Sequence, residues 1–389
     1  MEKKQLTLHE KWESDIQSYK KSGGMRVTVI QCKNCKHWIK SDALHCLKYE
    51  KTNKPTETLQ AKKECPCFES QDVLNIEVKN DYERRLKGGI WGAIIGDALG
   101  VPVEFSERNE RKKDPVKEMR GYGTYNQPMG TWSDDTSMML CLIETLTEGY
   151  SVDKLAKKFV RFANEGYMTP CNTVFDIGNA VMKAIRNIMS GIPPAECGGN
   201  TEYDNGNGSL MRILPLAFCL KDASSTQKIN LIEEVSSVTH RHQISLLSCI
   251  IYIQFALELM MGKDKTSAYH LMTNYVTSIV RERYLGVLQN FENVLNGKII
   301  SLNENKIKST GYVLDTIEAS LWCFMNSDSY DECIFKAINL GGDTDTIACV
   351  SGGLAGIYHG IDSISNNWIQ MLVRKNDINA MIDKFITTL

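Results

Sequence analysis

The sequence predicts an all-α protein, a compact domain of many helices preceded by a small cysteine-rich module. The 389-residue chain is long enough to bury a full core in one large domain plus an appendage. Its hydrophobic content of 42% and charged content of 24% are typical of soluble globular proteins. From about Asp81 onward, segments with helical spacing of apolar residues follow one another, with short Gly, Asn and Pro breaks. Strands do not alternate with helices there, so a parallel sheet is not expected.

Composition divides the chain into three segments. Residues 1–24 form a polar leader with helical spacing that ends at two glycines, and residues 25–78 are lysine-rich and hold five cysteines. Residues 79–389 form the helical body. Within the second segment, residues 27–30 have the β-branched composition of a strand and lead into the first cysteines. We therefore expect a small module joined to a large helical domain.

The residue pattern favours a cytoplasmic location. The N-terminal leader is polar and lacks the apolar region of a secretory signal. The most apolar helical stretch, Ile244–Met261, contains Gln254 and Glu258, which favours a core helix over a membrane span. The 13 cysteines are odd in number and are mostly scattered singly through apolar segments, as is typical of reduced core thiols.

Charge is distributed unevenly along the chain. Residues 1–63 hold fourteen Lys and Arg residues against seven Asp and Glu residues, although the formal net charge of the whole chain is -2. The helical body is therefore acidic and is a poor candidate for binding nucleic acid. Only the N-terminal piece has the charge to attract nucleic acid, and a solvated lysine-rich surface is the simpler explanation.

The cysteines of the N-terminal module have the spacing of a zinc site. Two residues separate Cys32 from Cys35, which is a common half-site for tetrahedral zinc. The predicted ligands are Cys32, Cys35, Cys46 and Cys67, with Cys65 as an alternative to Cys67 and with His37 and His45 as substitutes. So small and polar a segment lacks the apolar residues to fold unaided, which favours one structural Zn²⁺ over a metal-free loop. An iron–sulfur cluster is the other alternative, but nothing indicates a redox partner, and the segment resembles small zinc-ribbon modules.

Two acidic clusters of the same design lie in the helical body. They are Ser133-Asp134-Asp135-Thr136 and Asp343-Thr344-Asp345-Thr346, and each opens a segment with helical spacing of apolar residues. Carboxylates and hydroxyls at two helix N-termini are suitable oxygen ligands for hard divalent cations. Helix capping alone is the alternative, because Ser and Asp are favoured at N-caps. Capping needs one such side chain, whereas each start carries two acids flanked by hydroxyls, so we predict a two-metal site.

Two glycine stripes indicate close packing between helices. The glycines recur at every fourth residue, at Gly88, Gly92, Gly96 and Gly100 and again at Gly352, Gly356 and Gly360. Such a stripe lets a neighbouring backbone approach closely, despite a helix penalty of roughly 1 kcal/mol for each glycine. Closely packed helices hold their ends rigidly, which favours a preorganised site at those ends.

Five short motifs occur in the order found in the ADP-ribosylglycohydrolase family, which includes the dinitrogenase reductase-activating glycohydrolases. The motifs are Gly96–Glu104, Gly130–Thr136, Asn207–Arg212, Thr239–His240 and Gly342–Thr346. Any one of them is short, but five in the correct order make a specific resemblance, which spans roughly residues 84–385.

The resemblance implies an all-α fold with two Mg²⁺ or Mn²⁺ ions at the base of a cleft for ADP-ribose. The metal ligands that the family implies are Ser133, Asp134, Asp135, Asp343, Asp345 and Thr346. Ser133 stands where many relatives carry threonine, and since the hydroxyl is retained, ligation is expected to survive. The choice between Mg²⁺ and Mn²⁺ stays open, because both accept the same oxygen ligands.

The resemblance also implies residues for catalysis and substrate binding. The family's catalytic or gating glutamate corresponds to Glu104, and Asp134 is the other carboxylate expected to stabilise charge or transfer a proton. The implied substrate-binding residues are Asn207, Gly208, Ser209 and His240, of which the first three form a loop suited to a diphosphate. Asp176 matches a further recurrent stretch and is expected to support the site. Without the resemblance, Glu104 would be read as a solvated acid and the loop as a plain turn.

We therefore expect a metal-dependent ADP-ribosylglycohydrolase that hydrolyses the bond between ADP-ribose and a modified acceptor, foremost a protein side chain. The alternatives are a non-catalytic ADP-ribose-binding protein, a two-metal hydrolase acting on another ADP-ribose derivative, and a zinc-finger adaptor. The intact set of predicted metal ligands argues against the non-catalytic protein. The sequence leaves open which linkage is cut, which carboxylate handles the proton, which aromatic residues stack on adenine, and the oligomeric state.

Overall fold

The structure of the chain is a computed structural model. The residues that it describes are 35–39, 42–49, 55, 65–67 and 73–389. Three sequence-based predictions, the helical leader at 1–24, the strand at 27–30 and the zinc ligand Cys32, lie outside the described residues.

A short hairpin lies near the start of the described chain. Strand β1 (Trp38–Ile39) pairs antiparallel with strand β2 (Asp42–Cys46). The hairpin connects two of the predicted zinc ligands, Cys35 and Cys46.

Residues 73–389 fold into helices joined by loops and short 3-10 turns, which confirms the predicted all-α body. The α-helices in chain order are α1 (Asp81–Gly100), α2 (Arg108–Lys113), α3 (Asp134–Thr147), α4 (Val152–Glu165), α5 (Asn179–Met189), α6 (Leu216–Cys219), α7 (Ser225–Ser237), α8 (Gln243–Met260), α9 (Lys265–Tyr275), α10 (Glu292–Leu295), α11 (Val313–Met325), α12 (Tyr330–Asn339), α13 (Thr344–His359), α14 (Asn366–Met371) and α15 (Lys375–Ile386). Helices α3 and α13 begin at the two acidic clusters, as the periodicity predicted.

Helices α1 and α13 pack on each other along the two glycine stripes. A Cβ atom at the α1 glycines would overlap the α13 backbone at four pairs, namely Gly88 with Gly356, Gly92 with Gly352, Gly96 with Ala348 and Gly100 with Asp345. Because glycine has no side chain, the two backbones can touch at each of these points. At the last pair, the end of α1 meets the start of α13. The close packing therefore sets where the second acidic cluster lies.

Helix α8 runs through the core beside α13. Among the helices that the structure describes, it alone is long and apolar enough to cross a membrane, but 83% of that window is buried inside the protein. Its Tyr252 hydroxyl donates to the Val350 carbonyl of α13 at 3.0 Å. Helix α8 is therefore a buried core helix, as predicted from the sequence.

Most cysteines of the helical body are buried, whereas Cys171 and Cys219 are exposed. Cys141, Cys249 and Cys349 form no disulfide and lie fully buried in the apolar core. Scattered single cysteines in apolar helices are thus part of the packing in this fold.

Candidate active site

Three buried carboxylates from two segments meet beyond the C-terminal end of α1. Glu104 follows the 3-10 turn after α1, and Asp343 and Asp345 lie at the start of α13. One carboxylate oxygen from each of the three lies within 4.8 Å of the other two. All three residues are buried. Side chains in this arrangement can hold a metal ion.

Main-chain hydrogen bonds between the two segments hold Glu104 against the start of α13. The Phe105 N–H donates to the Gly342 carbonyl at 2.7 Å, and the Gly342 N–H donates to the Ser106 carbonyl at 2.9 Å. Phe105 adopts a φ of 60°, a left-handed conformation that is unfavourable for a residue with a side chain. Such backbone strain persists only where the surrounding structure enforces it, and it is common at functional sites.

Helix α3 brings the other acidic cluster to the same buried region. The Thr346 hydroxyl of α13 donates to Asp135 Oδ1 at 3.3 Å, which joins the two helix starts. Ser133 does cap its helix, because its hydroxyl accepts from the Asp135 N–H at 3.2 Å. Asp343 holds the equivalent position before α13 and makes no capping bond with its side chain. Helix capping therefore explains part of the first acidic cluster and does not explain the second.

Burial and mutual repulsion raise the pKa values of the carboxyl groups in this region. Burial is the largest cause at Glu104, and the charges of Asp176 and Asp343 add to it, which raises the pKa of Glu104 to about 9. Burial and then neighbouring carboxylates also raise the pKa well above the usual range at Asp134, Asp135 and Asp345. Negative charge so concentrated away from water favours binding of a cation.

Four carboxylate oxygens in the cluster are buried without a hydrogen-bond partner. They are Glu104 Oε2, Asp135 Oδ2, Asp343 Oδ1 and Asp345 Oδ2. Leaving a buried polar atom unsatisfied costs roughly 1–3 kcal/mol, and more for a charged group. Hard divalent cations take oxygen ligands of this kind. The donor set therefore fits a hard divalent cation.

Asp97 lies within the first motif, on α1 behind the start of α3, but it was not predicted as a residue of the site. Its carboxylate is fully buried and accepts hydrogen bonds from Ser133 and Thr136. Burial raises the pKa of Asp97 to about 6, although these hydrogen bonds oppose the rise. The signal available in the sequence was one acid within an apolar, glycine-rich helix, which is costly unless the acid has a partner.

The predicted substrate-binding loop lies beside Asp343. The Asn207 amide donates to Asp343 Oδ2 at 2.8 Å and to Thr316 Oγ1 at 2.9 Å, so it holds the first acid of α13 in place. The Ser209 hydroxyl lies 3.5 Å from Cys249 Sγ in the core. Since both side chains are engaged, the loop presents mainly its backbone to a ligand.

His240 supports the same loop from inside the protein. A Cβ atom at Gly208 would lie 2.9 Å from His240 Cε1, so the ring and the loop backbone are in close contact. The His240 ring also lies 2.9 Å from the Thr239 hydroxyl. Burial, followed by the charge of Arg212, lowers the pKa of His240 to about 3. The ring is therefore neutral at physiological pH and acts here as a packing and hydrogen-bonding group.

Asp176 and three aromatic residues border the acidic cluster. The Tyr125 hydroxyl donates to the Asp176 carboxylate, whose charge in turn raises the pKa of Glu104. The Tyr125 ring centroid lies 5.2 Å from that of Phe175 and 6.4 Å from that of Phe105, which is 66% exposed. The sequence offered no means of choosing these rings among the tyrosines and phenylalanines of the chain.

Comparison with known proteins identifies the family and supports the fold. Residues 78–389 match the family model described as ADP-ribosylglycohydrolase. The chain belongs to the ADP-ribosylglycohydrolase family. Both acidic clusters, Glu104 and the Asn207 loop lie within the matched residues. The chain is thus a hydrolase of a family that typically depends on divalent metal ions, and the enzyme class predicted from the motifs is confirmed.

Relatives of this ADP-ribosylglycohydrolase are similar over most of their length. The ADP-ribosylarginine hydrolase Tri1 of Pseudomonas putida (strain GB-1) is 32% identical over 304 residues, which are 76% of this chain and 76% of that protein. The ADP-ribosyl-dinitrogen reductase glycohydrolase of Rhodospirillum rubrum is 26% identical over 78% of this chain and 95% of its own length. A solved structure, the ADP-ribosylglycohydrolase-related protein complex, matches with a TM-score of 0.67 and 28% identity, covering 80% of this chain and 99% of the other.

The cysteine-rich module precedes the residues matched by the family. The Cys67 thiol lies 3.3 Å from the Tyr49 hydroxyl. That contact, followed by burial and the nearby thiols of Cys65 and Cys46, raises the pKa of Tyr49 to about 12. The Cys35 thiol lies 3.9 Å from the Cys67 carbonyl. Four of the five cysteines of the module are therefore neighbours.

Proposed function

We propose that this ADP-ribosylglycohydrolase is a metal-dependent enzyme that cleaves the glycosidic bond between ADP-ribose and a modified protein side chain and releases ADP-ribose. One observation carries the proposal, the convergence of buried, unsatisfied carboxylate oxygens from the loop after α1 and from the starts of α3 and α13. A protein that only binds ADP-ribose has no need to bury four such oxygens at a cost in stability.

Two Mg²⁺ or Mn²⁺ ions would be held by the two acidic helix starts. The proposed ligands are Ser133, Asp134 and Asp135 from α3 and Asp343, Asp345 and Thr346 from α13. The hydrogen bond from Thr346 to Asp135 supports a shared site, because it places the two sets side by side. The chemistry that such ions supply when bound is orientation of the ribose hydroxyls and a lowered pKa for a water molecule.

Glu104 and Asp134 are the proposed catalytic carboxylates. Cleavage at the anomeric carbon develops positive charge in an oxocarbenium-like transition state, which nearby carboxylates stabilise. Glu104 Oε2 is buried without a partner, and because burial raises its pKa, the carboxyl group can hold a proton at neutral pH. Full turnover by a Glu104→Gln variant would contradict this proton role.

ADP-ribose is proposed to lie along the loop Asn207–Ser209, above His240. Because the Asn207 amide is bonded to Asp343 and the Ser209 hydroxyl lies against Cys249, the loop would bind the diphosphate through main-chain N–H groups. A side chain at Gly208 would press on the His240 ring, so glycine keeps the loop backbone in its place.

The experiment that tests this function is release of ADP-ribose from arginine- and serine-modified proteins, with and without Mg²⁺ or Mn²⁺. An arginine-linked substrate comes first, because the 32% identical relative is named an ADP-ribosylarginine hydrolase. We expect metal-dependent release that the Asp343→Ala/Asp345→Ala double variant loses. Binding of ADP-ribose without release would indicate a non-catalytic binding protein. Release of phosphate in place of ADP-ribose would indicate a different two-metal hydrolase.

We further propose that residues 25–78 are a zinc module joined to a catalytic domain at 79–389. The proposed ligands are Cys32, Cys35, Cys46 and Cys67, with Cys65 as the alternative to Cys67. The short hairpin and the cluster of thiols around Tyr49 support a zinc site there. Elemental analysis is expected to find about one zinc per chain and less in a Cys35→Ser variant. The thiols of Cys141, Cys249 and Cys349, which are buried and form no disulfide, support a cytoplasmic location.

A further inference from the structure

A carboxylate from one helix caps the start of another at the edge of the acidic cluster. The Asp97 carboxylate of α1 accepts from the Ser133 N–H at 3.0 Å, from the Thr136 N–H at 3.1 Å and from the Thr136 hydroxyl at 2.6 Å. Ser133 and Thr136 are the N-cap and third residues of α3. The N–H groups at these positions have no partner inside their own helix.

Most helices satisfy such N–H groups with their own N-cap side chain. Helix α3 satisfies only one of them in this way, through the bond from the Asp135 N–H to the Ser133 hydroxyl. The side chains of Asp134 and Asp135, which could serve the first turn in an ordinary helix, lie buried in the acidic cluster. Asp97 accepts from the Ser133 and Thr136 N–H groups from outside the helix, so the side chains of Asp134 and Asp135 do not have to serve these two groups.

We infer that Asp97 is a positioning residue, which fixes the first turn of α3 so that Ser133, Asp134 and Asp135 are oriented to bind a divalent metal ion. This inference rests on the proposed function. Asp97 itself is not a ligand, because both of its oxygens already accept hydrogen bonds. Its anchor is also rigid, since α1 packs on α13, which carries the other half of the site.

A purely structural role would have different consequences from a positioning role. A capping carboxylate that only stabilises the fold lowers the unfolding temperature when it is changed and leaves metal affinity alone. A residue that orients ligands changes metal affinity, typically by about 10- to 100-fold. The two roles therefore separate when stability and metal binding are measured on the same variant.

The test compares Asp97→Asn with Asp264→Asn in the full-length chain. Asparagine keeps the size of Asp97 but replaces one acceptor oxygen with an NH₂ group that faces N–H donors. Asp264 is a matched control, because its carboxylate also accepts from an N–H (Ser267, 3.0 Å) and a hydroxyl (Ser267, 2.6 Å), at the start of α9, which carries no proposed ligand.

Three readouts are needed: calorimetric titration with Mn²⁺ alone, thermal unfolding in a chelator, and amide hydrogen exchange at residues 133–137. For Asp97→Asn we expect Mn²⁺ binding that is about 10- to 100-fold weaker and faster exchange at the start of α3 in the absence of metal. For Asp264→Asn we expect wild-type Mn²⁺ binding and an unfolding temperature close to that of the wild type, because asparagine is also a favoured N-cap residue.

Wild-type Mn²⁺ binding by Asp97→Asn, with only its unfolding temperature lowered, would overturn the positioning role. If Asp97→Asn does not fold, Thr136→Val removes one of the bonds to Asp97 and decides the matter with the same three readouts. If the wild-type chain binds no Mn²⁺, the proposed metal site fails and the positioning role fails with it. The Mn²⁺ titration of the wild-type chain thus distinguishes failure of the proposed metal site from failure of the positioning role alone.

Discussion

The two acidic helix starts are almost alike in sequence, but different contacts hold them in place. The start of α3 is fixed by side chains, namely the Ser133 hydroxyl and the Asp97 carboxylate. The start of α13 has close backbone contacts in addition to side-chain bonds. Gly100 of α1 touches Asp345 and its carbonyl accepts from the Thr344 hydroxyl at 2.8 Å, and Gly342 pairs with the loop after Glu104.

This difference bears on how each half of the site tolerates change. A side-chain anchor can be weakened one hydrogen bond at a time, and each bond contributes about 0.5–1.5 kcal/mol. A close contact between two helix backbones cannot be weakened stepwise in this way, because any added side-chain atom must displace a helix. We therefore expect abrupt loss of function from changes at the α1–α13 contact and graded loss from changes around α3.

The largest effect is expected from Gly100→Ala. The new methyl group would overlap the Asp345 backbone, so α1 and α13 must separate at the level of the site. Overpacking of this kind costs about 1–3 kcal/mol, and a displacement of about 1 Å can reduce turnover by about 100-fold. The measurements are ADP-ribose release and chemical denaturation.

Gly286→Ala is the control for Gly100→Ala, since a Cβ atom at Gly286 would find its nearest neighbour, Gln243 Oε1, at 3.8 Å. We expect near-wild-type stability and turnover from this variant. Wild-type turnover by Gly100→Ala would show that the α13 start does not depend on close backbone packing, and the contrast between the two halves would disappear.

Asp345→Asn is expected to change activity and stability in opposite directions. Asp345 is fully buried, one of its oxygens has no hydrogen-bond partner, and its neighbours include other carboxylates. Removing its charge should therefore stabilise the metal-free protein by about 0.5–2 kcal/mol, as is common at functional sites. Turnover should fall because a proposed ligand is lost. Thermal unfolding in a chelator and ADP-ribose release measure the two changes.

A loss of stability in Asp345→Asn would contradict the view that the acids repel one another within the fold. The same substitution at Asp135 extends the comparison to the other half of the site. At both positions one carboxylate oxygen accepts a hydrogen bond from Thr346 and the other has no partner, so a similar gain in stability is expected at Asp135.

The features that could be predicted from the sequence are those whose residues lie close together in the chain and form a recognisable pattern. The helix starts could be predicted because acids, hydroxyls and apolar spacing occur together within one segment. The glycine stripes indicated close backbone approach, but only the structure shows that the two stripes face each other. Ser209 matched a substrate-binding motif, although its hydroxyl lies in the core against Cys249.

Asp97 shows why the rest of the site could not be predicted. Its partners, Ser133 and Thr136, lie more than thirty residues away, and two of its bonds involve main-chain N–H groups that every residue has. No pattern of residue types marks such a contact. Asp176 was expected to support the site, but its hydrogen bond with Tyr125 could not be predicted, because it joins two loops whose paths the sequence does not reveal.

The smallest effect is expected from Asn207→Ala, which removes the one side-chain amide that holds Asp343. Because backbone contacts already fix the start of α13, Mn²⁺ binding should weaken by about tenfold, at the lower end of the range for residues that orient ligands. Asn326→Ala is the control, since that amide donates to two carbonyls of Ile300 and Trp322 and to none of the acids. Calorimetric titration with Mn²⁺ measures both variants beside Asp97→Asn. If Asn207→Ala weakens binding more than Asp97→Asn does, α13 depends on side chains as much as α3, because the backbone contacts alone would then be insufficient to place Asp343.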